Sequence, residues 1–417
     1  VDCRYSPGCG VGPSKDIAII GDSMKIPEDI RADIPITSKY IYFDSGATCL
    51  TPRPVVKAMD EYYLEYRANV HRGVHRLSQK ASEKFDEARE KIAHFLNASF
   101  EEIIFVKNTT EALNYVAMGL QWEKGDTVVV SELEHHSNFL PFFRLQKHGV
   151  TLKVIHCTTN GTLIESELSE KIPGAKLISV SHISNISGAV TPIKTISKIA
   201  KETGALLCID AAQSVGHRPV DVQDLKCDFL ALPGHKGIMG PTGIGVLYVR
   251  KSVMDEFDLP FIGGGTIEDV SLTGYTLAKP PEKYEAGTPN IAGAIGLGAA
   301  ADYITQIGLS RIEKYEKTLI DKTLTAFDAL LTVEWYGPKT PHSGVVSFNM
   351  KNYTAHKVAE MLDAKGNIMV RSGHHCALPA LKKMGIPMAV RASYHCYNTL
   401  EEIDAMVDIL THIEKKK

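Results

Sequence analysis

No stretch of this 417-residue sequence approaches the ~20 consecutive apolar residues that a membrane-spanning helix needs. The first residues also lack the charged, apolar and small-residue order of a secretory signal. Excess charge of either sign is small: the formal net charge is −3, with no basic stripe dense enough for nucleic acid or an anionic membrane. The eight cysteines (Cys3, Cys9, Cys49, Cys157, Cys208, Cys227, Cys376 and Cys396) follow no regular spacing, so a disulfide framework is not expected and a reducing cytoplasm fits. What is present is ordinary globular composition, 44% hydrophobic and 23% charged, on a chain long enough for a sizeable core and two domains.

Residues 1–23 differ from the rest. Gly8, Gly10 and Gly12 imitate a phosphate loop, but no strand pattern precedes them and no helix pattern follows, so a flexible tail is expected. From Tyr40, YIYFDSGAT reads as a short strand and a small-residue turn, then a helix after Pro52 or Pro54. Phe85, Ala88, Ile92 and Phe95 mark one face of an amphipathic helix. His71 and His75 have a helical metal-ligand spacing, yet no glutamate completes an HExxH motif and Arg72 would oppose a cation, so no metal is expected there.

Seven short apolar runs follow: 102–106, 127–130, 152–155, 176–180, 206–210, 229–232 and 244–249. They alternate mainly with helical or loop segments, which predicts an α/β fold with a mostly parallel sheet covered by helices. Ligands of such sheets bind beyond the carboxyl ends of the strands, and those positions are consistently polar. After the first run come Asn108, Thr109 and Thr110, opening a helix whose free N–H groups suit a phosphate; a simple helix cap by either threonine is the competing reading. Later runs lead to Glu134, His135, His136 and Asn138, to Ser181, His182 and Asn185, and to Asp210 and Gln213. The run 229–232 breaks at Pro233-Gly234 and delivers His235 and Lys236 into a glycine-rich turn. A lysine at the end of a buried strand is partly desolvated, which lowers its pKa and makes it a candidate nucleophile. A phosphate cup, a flat histidine face, a carboxylate and this lysine together suit pyridoxal phosphate.

Gly263-Gly264-Gly265 and EAGTPN (285–290) are turns that either approach a ligand or redirect the chain. The small-residue helix GAIGLGAAADYITQIG then leads into an α+β region with a strand at 344–348 and helices at 354–365 and from Leu400. Within it, VRSGHHCALP places Cys376 beside two histidines and Arg371, surroundings that favour the thiolate. Zinc on His374, His375 and Cys376 is disfavoured because adjacent side chains seldom converge on one tetrahedral ion. Arg391 suits a substrate carboxylate.

The motifs NVHRGVHRLS, NTTEALN, ELEHHSN, SHISN, IDAAQS, GHK, GPTGIGVLY, EAGTPNIAGAIGLGAA and RSGHHCALP are specific. Through them the chain, from about Tyr40 to Glu401, resembles the SUF-type (group II, selenocysteine-lyase-like) cysteine desulfurases among the class V aminotransferases, enzymes of pyridoxal-phosphate fold type I. The resemblance implies a large cofactor-binding domain at 46–300 and a smaller α+β domain at 301–417 carrying the nucleophilic cysteine. The segment 24–45 would pack with the small domain. Lys236 would carry pyridoxal 5'-phosphate, Asp210 would pair with the pyridine nitrogen, Gln213 would bond the phenolic oxygen and His135 would stack on the ring. Thr109, Thr110 and His235 would lie near the phosphate, and Thr288 would reach the phosphate of the neighbouring subunit in a homodimer with shared sites. Asn185 and Arg391 would hold L-cysteine, with Arg72 and Arg371 close by. Cys376 would accept the sulfur as a persulfide, for passage to an acceptor or iron-sulfur scaffold protein.

Two departures stand out. Where many relatives have a phosphate-bonding serine two residues before the histidine of GHK, this chain has Pro233, and the turn GIMGPTG after Lys236 is one residue longer than the related LYGPTG form. The compact segment 370–379 implies a shielded persulfide. The competing functions are a selenocysteine lyase, another enzyme of this fold in which Cys376 is incidental, and a non-catalytic sulfur carrier or scaffold.

Overall fold

The computed structural model describes residues 24–415 apart from positions 260 and 341. The expected tail at 1–23 lies outside the described residues. Seven strands form the central sheet: β1 (Ile103–Val106), β2 (Thr127–Ser131), β3 (Thr151–Ile155), β4 (Leu177–Ser181), β5 (Leu206–Asp210), β6 (Phe229–Pro233) and β7 (Gly245–Val249). Their order is β1-β7-β6-β5-β4-β2-β3. Only β7 runs against its neighbours; the pairs from β6 through β3 are parallel.

The reason these runs are apolar throughout, rather than alternating, is that both faces of the sheet are covered. In β6, Leu230 and Leu232 enter one hydrophobic core while Phe229 and Ala231 enter the other. In β5, Leu207 and Ile209 divide from Cys208 in the same way. The helices Arg76–Leu96 and Ile291–Ile307 pack together on one face; the glycines of the second permit close approach, since a Cβ at Gly298 would lie 2.8 Å from Ala88 Cα. Ile291–Ile307 runs uninterrupted through position 300.

A second sheet lies toward the C-terminus. Its strands β8 (Val333–Tyr336), β9 (Val345–Met350), β10 (Arg371–Gly373) and β11 (Ala389–Ser393) are ordered β8-β9-β11-β10, all antiparallel. Helices Leu309–Asp328, Ala355–Gly366 and Leu400–Lys415 cover it around a third core that includes Phe43. The segment Ile41–Tyr42 pairs in parallel with Ile368–Met369.

The turn after Lys236 shows where its additional residue goes. Met239 adopts φ +61° and is fully buried beside Ile30, Ile34 and Tyr303. Met239 N–H bonds to Lys236 O at 2.7 Å and Gly240 N–H to Gly234 O at 2.8 Å, so the turn closes on itself. A left-handed non-glycine residue costs roughly 1–2 kcal/mol, which burial of the methionine side chain, about 1.5–3 kcal/mol, offsets. The same turn is pressed from behind by Gly216, where φ is +89° and a Cβ would stand 2.0 Å from Gly237 C. Gly216→Ala is expected to destabilise the protein by about 2–4 kcal/mol through combined overpacking and backbone strain. The midpoint of urea unfolding checks this, and an unchanged midpoint would contradict the packing described.

Candidate active site

The carboxyl ends of β1, β2, β4, β5 and β6 converge on a cavity of about 290 Å³. Thr109, Thr110, His135, Asn185, Asp210, Gln213, His235 and Lys236 all line it, together with Pro233. Eight of the side chains singled out from sequence are thus brought to one place by parallel strands that end at one edge.

Lys236 is the central cation. Desolvation lowers its pKa to about 8, opposed chiefly by the charge of Asp210. Asp210 is itself buried, and desolvation raises its pKa against the hydrogen bond from Ala212 N–H, 2.9 Å from Oδ1, and the charge of Lys236. His135 caps the helix His136–Arg144, its Nδ1 accepting from Ser137 N–H at 3.1 Å. That bond leaves the ring proton on Nε2. Burial, then the neighbouring Lys236, push the His135 pKa down to about 4, so the ring is neutral at physiological pH.

The helix Thr109–Gly119 is capped by Asn108, whose side chain accepts from Glu111 N–H at 3.0 Å. The threonines are therefore not the cap. Thr110 Oγ1 pairs with Ser137 Oγ at 2.7 Å, whereas Thr109 Oγ1 is buried with no partner. Pro233 offers no hydroxyl or N–H here. His235 Nδ1 lies 3.2 Å from Thr48 Oγ1. Gln213 is buried and donates to Gly46 O at 2.9 Å.

Arg391, Arg371 and Cys376 join from the second sheet. Buried Arg391 donates from Nη1 to Asn185 O at 3.0 Å and faces Asp44 Oδ1 with Nη2 at 3.4 Å; its Nε has no partner. Arg371 Nη1 lies 3.9 Å from Asp44 Oδ2. Cys376 sits in a turn where it and His375 have φ of +54° and +50°. That turn is tied to the cavity wall: Asn185 Nδ2 donates to His375 O at 2.7 Å, and His136 N–H to Cys376 O at 2.8 Å. The turn is compact, but Cys376 is exposed in the single chain, so this chain by itself does not supply the shielding expected of it.

Two residues stand apart. Arg72 and Thr288 line a separate cavity of about 190 Å³ with His71, Gly264, Gly265 and Gly287. His71 and His75 do not converge either: His71 is left-handed and lies 3.6 Å from Asp86, while His75 caps the helix beginning at Arg76.

Glu134 is among the polar residues expected after β2, whereas His217, Glu316 and His395 carry no sequence signal strong enough to single out. Glu134 is fully buried and accepts from Ser131, Ser181 and Asn138; desolvation raises its pKa to about 7. Behind the lysine turn, His395 Nε2 donates to Gly237 O at 2.7 Å, and Glu316 contacts His217 Nδ1 at 3.0 Å. Nitrogen and sulfur atoms of Cys49, His217 and His395 lie within 4.8 Å of one another. Both His395 nitrogens are engaged, however, the second by Cys396 N–H at 2.7 Å, so this is a hydrogen-bonded cluster rather than a free ligand set.

A profile described as Aminotransferase class-V matches residues 41–406. A protein of Pyrococcus abyssi named "Probable cysteine desulfurase" is 54% identical over 397 residues, 94% of this chain and 98% of that protein. A "Cysteine desulfurase" of Pectobacterium atrosepticum is 42% identical over 402 residues, 93% and 98% of the respective chains. Among solved structures, an apo cysteine desulfurase from Thermococcus onnurineus NA1 is 55% identical, with a TM-score of 0.93, covering 95% of this chain and 100% of that one. The S-sulfonic acid form of a cysteine desulfurase from Escherichia coli is 31% identical, with a TM-score of 0.87 and coverage of 94% and 99%.

Proposed function

The chain belongs to the class V aminotransferase family, and on that premise we propose that it is a pyridoxal 5'-phosphate-dependent cysteine desulfurase, converting L-cysteine to L-alanine with transfer of sulfur to Cys376. The observation that carries this is the joining of two centres: the cavity of Lys236 and Asp210, and the turn of Cys376, share Asn185 as a common wall.

The residues fit the cofactor. Lys236 would bind its aldehyde, Asp210 would face the pyridine nitrogen, neutral His135 would cover the ring and Gln213 would serve the phenolic oxygen. The unpartnered Thr109 hydroxyl, with Thr110, His235 and the helix N-terminus, would take the phosphate. When bound, pyridoxal phosphate supplies an electron sink for the substrate Cα and Cβ.

Arg391 and Asn185 hold the substrate carboxylate and fix the orientation of the bonds to be broken. Lys236, whose pKa desolvation lowers to about 8, gives up its proton more readily than an ordinary lysine and would carry the Cα proton. The Cys376 thiolate attacks the substrate sulfur. A sulfur–sulfur bond forms, the substrate Cβ–S bond breaks, and its electron pair stays with carbon, which takes up protons to leave L-alanine. Cys376 retains the sulfur as a persulfide.

The finer parts of the reading are a SUF-type enzyme feeding iron-sulfur cluster assembly, a large and a small domain divided near position 300, and a homodimer. Arg72 and Thr288, grouped outside the Lys236 cavity, support a role for that face in a partner subunit's site. Exposed Cys376 suits delivery to an acceptor protein. No described helix is long and apolar enough to cross a membrane, and the six described cysteines are all free, which supports a cytoplasmic location. The deciding experiment incubates cofactor-loaded protein with L-cysteine and measures L-alanine together with the mass of the Cys376 peptide. Alanine equal to sulfur released, and a peptide heavier by one sulfur, are expected; absence of both removes the proposal.

A further inference from the structure

The backbone carbonyls on both sides of Lys236 are held. His235 O accepts from Cys49 N–H at 2.8 Å and from Thr48 Oγ1 at 3.1 Å, and Lys236 O accepts from Met239 N–H at 2.7 Å. The next residue has to be glycine, since a Cβ at Gly237 would lie 2.4 Å from Val215 O and 2.5 Å from His217 Cδ2, and glycine brings the least backbone restraint of its own. Its restraint comes from His395, whose Nε2 lies 2.7 Å from Gly237 O. A carbonyl only accepts, and Nδ1 is taken by Cys396 N–H at 2.7 Å, so the single ring proton sits on Nε2. Burial, then His217, hold the His395 pKa down to about 4, which keeps the ring neutral. The ring is fully buried, stacked on Tyr397 with centroids 5.4 Å apart and 4.7 Å from the ring of His217. His395 lies just past the end of β11, the strand that carries Arg391, so one short segment reaches both the substrate clamp and the lysine turn.

We propose that His395 is a positioning residue for Lys236: by holding the Gly237 carbonyl it fixes the base from which the lysine side chain moves between cofactor and substrate, and ties that base to the strand bearing Arg391. The lysine stem is long and flexible, so its amine is placed only as well as the backbone beneath it. A lost donor at Gly237 O frees a glycine next to the reacting residue, and a small displacement there is costly for a proton transfer that needs close alignment. The clamp itself is untouched, because Arg391 is oriented by Asn185 O and Asp44. This inference rests on the reading of Lys236 as the residue that bears the cofactor.

Two amide substitutions divide the two bonds of the ring. His395→Gln places an N–H donor where Nε2 stood and gives up the acceptor for Cys396 N–H, whereas His395→Asn keeps an acceptor near the Nδ1 position and cannot reach Gly237 O. The test mixes cofactor-free protein with pyridoxal 5'-phosphate and follows the rate at which the visible absorbance of the lysine-bound cofactor appears, a readout independent of sulfur release; kcat and KM for L-alanine formation are measured alongside. His395→Asn is expected to slow cofactor capture and kcat by about tenfold, with KM changed less than about twofold, and His395→Gln to stay within about threefold of the parent in both rates. A role confined to packing the segment after β11 through Cys396 N–H would reverse that order. A reversed order, or the same rates in both variants, overturns the proposal. If His395→Asn fails to fold, His395→Gln decides alone: rates within about threefold of the parent support the proposal and a larger fall overturns it. A parent protein that captures no cofactor would instead count against the proposed function.

Discussion

Lys236→Ala is expected to lower L-alanine formation from L-cysteine by at least ~10³-fold, since general acid–base work alone contributes about 10²–10⁴ and the covalent hold on the cofactor is lost with it. Borohydride reduction followed by peptide mapping should fix the cofactor to Lys236 in the parent and nowhere in the variant. Arginine should not rescue activity, because a guanidinium remains protonated throughout the working range. The lysine also carries a pH signature. Its ordinary value of 10.5 falls to about 8 in the fold, so between those values the unfolded chain binds more protons than the folded one. Stability of the cofactor-free protein should therefore rise with pH across that window, and lie lowest, for this group, below pH 8. Lys236→Ala should abolish this part of the rise in urea-melting profiles. A variant that kept both turnover and the pH-dependent rise would remove Lys236 from the centre of the site.

How much of this was legible in the sequence depended on the range of the forces involved. The seven central strands were found to within about one residue at each end, because a sheet buried on both faces demands unbroken apolar runs. The polar residues following them were legible as a site for the same reason: parallel strands bring their carboxyl ends to one edge. Strands β10 and β11 escaped, since RSG has no apolar pattern and AVRAS carries a buried arginine. The longer turn after Lys236 was visible, but not its solution, a left-handed Met239 inserted into a core contributed by distant helices. Asp44 and Glu316 were illegible in a stronger sense. Their partners lie 347 and 99 positions away, and no local pattern distinguishes a carboxylate that will meet a guanidinium from one that will meet water. The separation of Arg72 and Thr288 from the other site residues likewise depends on how the glycine-rich segments 263–265 and 285–290 are folded together.

Cys376→Ala should abolish sulfur release from L-cysteine, by ~10³-fold or more given the loss of the attacking nucleophile, while leaving the fold intact. The side chain is exposed, and the turn is held by its backbone, through His375 O to Asn185 and Cys376 O to His136 N–H. Left-handed φ penalises alanine and cysteine alike, so the stability change should stay within about 0.5 kcal/mol, the range of a surface substitution. The cofactor's visible absorbance should also persist, because Lys236 and the phosphate end are untouched. This combination separates the competing chemistries. An aminotransferase or epimerase on the same fold would keep its turnover without the thiol. A selenocysteine lyase would keep part of it, since selenium leaves carbon more readily than sulfur and needs less help from the nucleophile. Full retention of L-alanine formation from L-cysteine in a folded, cofactor-bound Cys376→Ala protein would thus leave the family assignment standing and remove the persulfide from the mechanism.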